Sequence, residues 1–190
     1  MNVNKVLRNG DLLFVQNSSH LLSQAITKST QNSDDMASSN YTHVAILEKQ
    51  PDNLFFVLHA SNKYGCVHQS LGNFLQGQDG AVDVYRLKDQ LHVNFNKIIQ
   101  RAKKLLGKPY NFSFRSDQPG YYCSSFIYEA FKKDALFHLT PMKFGPNGSV
   151  LPFWIQYYST LNLPIPNGEP GSSPNLLLQQ GVLQFIQRVK

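Results

Sequence analysis

Apolar positions along the chain follow two different periods, and the change of period marks out the elements. Asp11-Leu12-Leu13-Phe14-Val15-Gln16, entered through Asn9-Gly10, reads as a buried strand. Ser18 and Ser19 stand where a cap would precede a short helix carrying Leu21, Leu22, Ala25 and Ile26. Lys28 to Asn40 is polar and reads as a loop. Two β-rich runs follow, Thr42–Glu48 and Leu54–His59, separated by Lys49-Gln50-Pro51-Asp52-Asn53, which predicts a hairpin. Cys66–Ser70 and Val82–Leu87 read as a further hairpin-like pair, with a loop or short helix over residues 71–80.

From Asn94 the period becomes helical. Phe95, Ile98, Ile99, Ala102, Leu105 and Leu106 share one face, and Gly107 and Pro109 end the run. A second helix starts near Cys123 with Phe126, Ile127, Ala130 and Phe131 as its buried stripe. Seven of the ten prolines lie beyond residue 140, interleaved with Phe144, Phe153, Trp154, Tyr157 and Tyr158. That composition predicts a mostly irregular covering segment over residues 140–180. Residues 182–186 alternate like an edge strand. Antiparallel strands followed by helices predict an α+β fold, in a single domain over residues 1–190.

Composition narrows the function. With 190 residues and 42% hydrophobic content the chain has enough apolar material for a core, which argues against disorder. No run approaches the ~20 apolar residues of a membrane span, and the N-terminal residues lack a secretory apolar core. These features predict a soluble protein, of the cytoplasm or, with an export signal trimmed from the chain, of a bacterial envelope. The net charge of +6 is dispersed, with no basic–aromatic stripe for nucleic acid. Contact with an anionic membrane or cell wall is compatible with it. No phosphate loop or metal-spaced cluster occurs, so neither cofactor nor metal is expected.

The chemistry concentrates in Cys123, His43 and His59. Pairing Glu48 with Leu54 across the turn would set His43 opposite His59 on one face of the sheet. Glu48, an odd number of residues from His43, falls on the other face. A cysteine in the first turn of a helix meets free N–H groups and the positive end of the dipole, which predicts a stabilised thiolate. The backbone N–H groups of Cys123 and Ser124 are candidates for an oxyanion site. Tyr41, Tyr122, Phe144 and Trp154 are candidate substrate contacts. A cysteine in an amphipathic helix is more often a small core residue, and a strand histidine more often structural. Cys66 reads as such a structural thiol, reduced and unbridged. His20, His68, His92 and His138 have no partner legible in the sequence.

The ordered set Gly10-Asp11-Leu12-Leu13-Phe14, Tyr41-Thr42-His43-Val44-Ala45-Ile46, Leu58-His59-Ala60-Ser61, Gly65-Cys66-Val67, Val84-Tyr85-Arg86-Leu87, Gly107-Lys108-Pro109-Tyr110-Asn111 and Tyr122-Cys123-Ser124-Ser125-Phe126 resembles the circularly permuted NlpC-type papain-like cysteine hydrolases of the YiiX branch. The resemblance covers most of residues 9–132. It implies a papain-like fold with histidine before cysteine, here 80 residues apart. It also implies Cys123 as nucleophile, His43 as base and His59 in the third position, where that branch often has a glutamate. The reaction implied is cleavage of an amide, in a cell-wall peptide or related compound, through a thioester. Related acyltransferases make lipid-linked substrates an alternative, and a non-catalytic peptide- or lipid-binding module is the competing class. A deep apolar tunnel at Cys123 would favour lipid, and an open polar groove peptide.

Overall fold

The computed structural model describes residues 6–16, 21–30 and 41–190. Its centre is a six-stranded antiparallel sheet in the order β4-β3-β2-β1-β5-β8. The strands are β1 (Leu12–Gln16), β2 (Tyr41–Lys49), β3 (Phe55–Ser61), β4 (Gly65–Ser70), β5 (Val82–Leu87) and, after a two-stranded ribbon of β6 (Thr140–Pro141) and β7 (Pro170–Gly171), β8 (Leu183–Arg188). The helices are α1 (Leu21–Thr30), α2 (Leu71–Gln76), α3 (Phe95–Lys103), α4 (Cys123–Phe131), α5 (Pro152–Leu161) and α6 (Pro174–Gln179).

Strand alternation sorts the core onto two faces. Leu12, Phe14, Val44, Ile46, Leu58 and Ala60 face α3 and α4, meeting Ile98, Phe126, Ile127 and Ala130. Leu13, Val15, Ala45, Leu47 and Val57 face the other way, under Leu71 and Phe74 of α2. A third cluster joins Ala25 of α1 to Phe114, Tyr122, Met142, Phe144, Trp154 and Tyr158. One buried ion pair ties β1 to β5, with Arg86 Nε donating to Asp11 Oδ1 at 2.6 Å.

Several expectations change. The β4 and β5 runs do not form a hairpin: β4 pairs with β3, while β5 lies between β1 and β8. Helix α3 is capped at Asn94 as expected but stops at Lys103, so Leu105 and Leu106 sit in turns. Helix α1 runs through Thr30, three residues into the expected loop; Ser18, Ser19, His20 and residues 31–40 lie outside the described residues. The proline-rich segment is more regular than predicted, since α5 and α6 fall within it. Pro152 and Pro174 open these helices, where a missing N–H costs nothing. The expected edge strand is β8, which begins one residue later than predicted, at Leu183, and runs to Arg188. Among the described residues no helix is long and apolar enough to cross a membrane.

Candidate active site

Cys123 is the first residue of α4, and the chain leading to it is held by backbone bonds. Tyr121 donates to the Pro109 carbonyl and Asn111 to the Tyr121 carbonyl, both at 3.1 Å. Gly120, at φ +90°, permits that approach, because a Cβ there would lie 2.2 Å from the Pro109 oxygen. At the helix start the Tyr122 N–H donates to Ser125 Oγ and that hydroxyl donates to the Tyr122 carbonyl, each at 2.9 Å.

The thiol lies on the α4 side of a gap in the sheet. The β2–β3 ladder begins at Lys49↔Phe55 and stops at Ile46↔Leu58, although both strands continue. Leu47 donates to Asp11 on the β1 side, so by alternation Val44 turns its N–H towards β3. No strand partner pairs with it there; the N–H groups of Val44, Ser124 and Cys123 and the Ser124 hydroxyl all act to lower the pKa of the Cys123 thiol. These donors favour thiolate, but burial outweighs them and pushes the thiol up to about 11. The expected resting thiolate is thus replaced by a neutral thiol.

His43 and His59 reach the same gap from the α2 face, where Phe74 packs on both rings. His43 Nε2 and His59 Nδ1 are 2.9 Å apart. The predicted register is two residues out: Glu48 pairs with Phe56, not Leu54, because the strand opens at buried Phe55 and leaves Leu54 exposed in the turn. A slip of two keeps every side chain on its face. The histidines therefore meet diagonally rather than directly, a separation long side chains still bridge. Burial lowers His43 to about 4, and burial followed by the charge of His43 lowers His59 well below the usual imidazole value. Gln69 of β4 completes the row, its Nε2 lying 3.1 Å from His59 Nε2. The structure thus joins the two histidines and brings Cys123 to the residue after His43. Among the described residues no hydrogen bond links the thiol to either imidazole.

Two cavities share part of their lining here. An apolar slot of about 60 Å³ is lined by Cys123, Tyr122, Phe144, Trp154, Met142 and Leu176, among others. A polar cleft of about 500 Å³ is lined by His43, His59, Gln69, Asn62, Lys63 and Asp79, among others. Thr42, Tyr110 and Ile26 line both. Three of the four expected contact residues are thus in the slot. Tyr41 is not: it is buried, donating from its hydroxyl to Asp83 at 2.6 Å, because a bulge in the β1–β2 pairing turns it into the α4-side core. Tyr110 was missed by sequence reasoning. Its buried phenol lies close enough to Cys123 that a thiolate there would raise its pKa further, beyond the rise that burial causes. The Tyr121 bridge, invisible in a single sequence, is what brings it there.

The remaining groups are structural. Glu48 lies on the opposite face from His43, with Lys103 at 2.6 Å and His68 at 2.8 Å, so His68 does have a partner. Cys66 and Cys123 are both free and buried, and burial pushes Cys66 to about 11.

Residues 6–187 match the family described as the permuted papain-like amidase enzymes, YaeF/YiiX, of family C92. The fold is similar to the crystal structure of YiiX from Escherichia coli O157:H7, there called a metalloprotein, with a TM-score of 0.76 at 21% identity, over 96% of this chain and 98% of that one. No curated protein matches the sequence. The metal in that description finds no counterpart in the donor set here: among the described residues no group of three or more His, Cys, Asp or Glu could hold an ion.

Proposed function

This chain belongs to the permuted papain-like amidases of the YaeF/YiiX family, and from that premise we propose that Cys123 is its nucleophile, His43 its base and His59 the residue that orients the base. The carrying observation is the lining that slot and cleft share at Thr42, Tyr110 and Ile26, with the thiol in the slot and the bonded histidine pair in the cleft. His43 uses Nε2 on His59, so Nδ1 is the nitrogen that takes the thiol proton. Sulfur then attacks the carbonyl carbon, and the oxyanion is received by helix N–H groups with the Tyr110 hydroxyl beside them. His43 returns the proton to the leaving nitrogen as the C–N bond breaks, and water, deprotonated by His43, hydrolyses the thioester.

Proton delivery fixes the substrate's direction. The amine leaves on the imidazole side, in the polar cleft, and the acyl group stays on the sulfur side, in the apolar slot. The substrate this favours is an amide between an apolar acyl group and a polar amine such as an amino acid or short peptide. N-acetyl-, N-hexanoyl- and N-dodecanoylglycine, assayed by release of glycine, test it. At roughly 0.8 kcal/mol per buried CH₂, hexanoyl should exceed acetyl in kcat/KM by about ten-fold or more. Cys123→Ala should abolish every rate. Equal rates along the series would remove the acyl slot, and activity in Cys123→Ala would remove the nucleophile.

A further inference from the structure

The histidine pair does not end at His59. Gln69 of β4 lies diagonally across the β3–β4 ladder from His59, whose direct partner is Val67. Its Nε2 is 3.1 Å from His59 Nε2, the only hydrogen bond of its side chain among the described residues. Carboxamide nitrogen donates and never accepts, so this contact fixes the direction of the whole row. With the amide nitrogen towards His59, that ring accepts at Nε2 and carries its proton on Nδ1. It donates to His43 Nε2 at 2.9 Å, which leaves the proton of neutral His43 on Nδ1. Such an imidazole cannot take a proton from the thiol. Turning the carboxamide by 180° preserves each heavy-atom contact and reverses the row. Gln69 Oε1 then accepts from His59 Nε2–H, His59 Nδ1 accepts from His43 Nε2–H, and His43 Nδ1 is free as the base.

We propose that Gln69 is a positioning residue whose amide orientation sets the tautomer of His59 and, through it, of His43, with the oxygen-inward orientation the base-competent one. This rests on His43 acting as the base. Around the row, Phe74 covers both rings with hydrocarbon, and among the described residues Lys63 and Asp79 are the charged side chains lining the same cleft. Among the described residues the hydrogen-bond partners of the His59 ring are His43 on one side and the Gln69 carboxamide on the other, which places the carboxamide where it can hold the tautomer.

Imidazole ¹⁵N shifts read the tautomer directly and need no substrate. Gln69→Glu presents an acceptor only, so both histidines should become Nε2–H, the acid limb of kcat/KM should move to higher pH, and the rate at pH 7 should be kept or raised. Gln69→Leu removes the bias. It should leave a mixture of tautomers and lower kcat by about ten-fold with KM nearly unchanged. A Tm within a few degrees of wild type separates this from a folding defect, and the ¹⁵N spectra of wild type and Gln69→Glu suffice if the leucine variant does not fold. Gln69→Glu spectra lacking Nε2–H on both histidines, or wild-type tautomer ratios retained in Gln69→Leu, would overturn the role of Gln69. Tautomers that shift as expected while His43→Ala retains full activity would leave Gln69 in place and remove His43 as the base.

Discussion

At Cys123 two effects of opposite sign meet, since helix and strand N–H groups favour thiolate while burial disfavours any charge. Burial wins at the cysteine, raised to about 11, and at His43, lowered to about 4. At pH 7 both are neutral, so the thiol must lose its proton during attack rather than before it. With neutral His43 as the proposed base, kcat/KM should hold well below the ordinary imidazole value of 6.5 and fall only as pH drops through about 4. An acid limb at 6.5 or above in the measured profile would refute this. The same shift affects folding. The unfolded chain takes up the histidine proton more readily than the folded one, so stability contributed by His43 is complete above 6.5 and is lost as pH falls from there to about 4. Melting temperatures across that window should decline, and decline less in His43→Ala. His43→Ala should lower kcat/KM by about 100-fold or more and His59→Ala by about ten-fold, since the second disturbs only orientation.

Single elements explain why some of this was legible and some was not. Cys123 at the start of α4 and the two histidines on one sheet face follow from local period, and a register wrong by two left that face unchanged. The gap between β2 and β3 did not follow, because a ladder's end depends on what covers it. Nor did the helices of the proline-rich segment, where composition hid the favourable N-terminal positions of Pro152 and Pro174. Position matters most at Gly120, whose positive φ and close approach to Pro109 hold Tyr110 beside the thiol. Gly120→Ala should cost about 2 kcal/mol or more of stability, read as a lower denaturation midpoint, and should reduce kcat at temperatures where the variant is still folded. A variant with wild-type midpoint and rate would remove Gly120 from the site's support.

Across the molecule the site is an assembly of distant segments: β2 and β3 bring the histidines, α4 the thiol, and the chain beyond residue 140 closes the slot with Phe144 and Trp154. The sequence carried the residue types and their order, and its resemblance pointed to the family; the division into apolar slot and polar cleft arises only on folding. In the proposed reaction that division keeps the acyl group on the protein when the amine leaves. Intact mass spectrometry of the enzyme quenched during turnover of N-dodecanoylglycine tests this most directly. The account predicts an added dodecanoyl group, mapped to Cys123 by peptide digestion, released by hydroxylamine, and absent from Cys123→Ala. Turnover with no acyl adduct under conditions that trap one from an authentic thioester, or an adduct on any other residue, would contradict it.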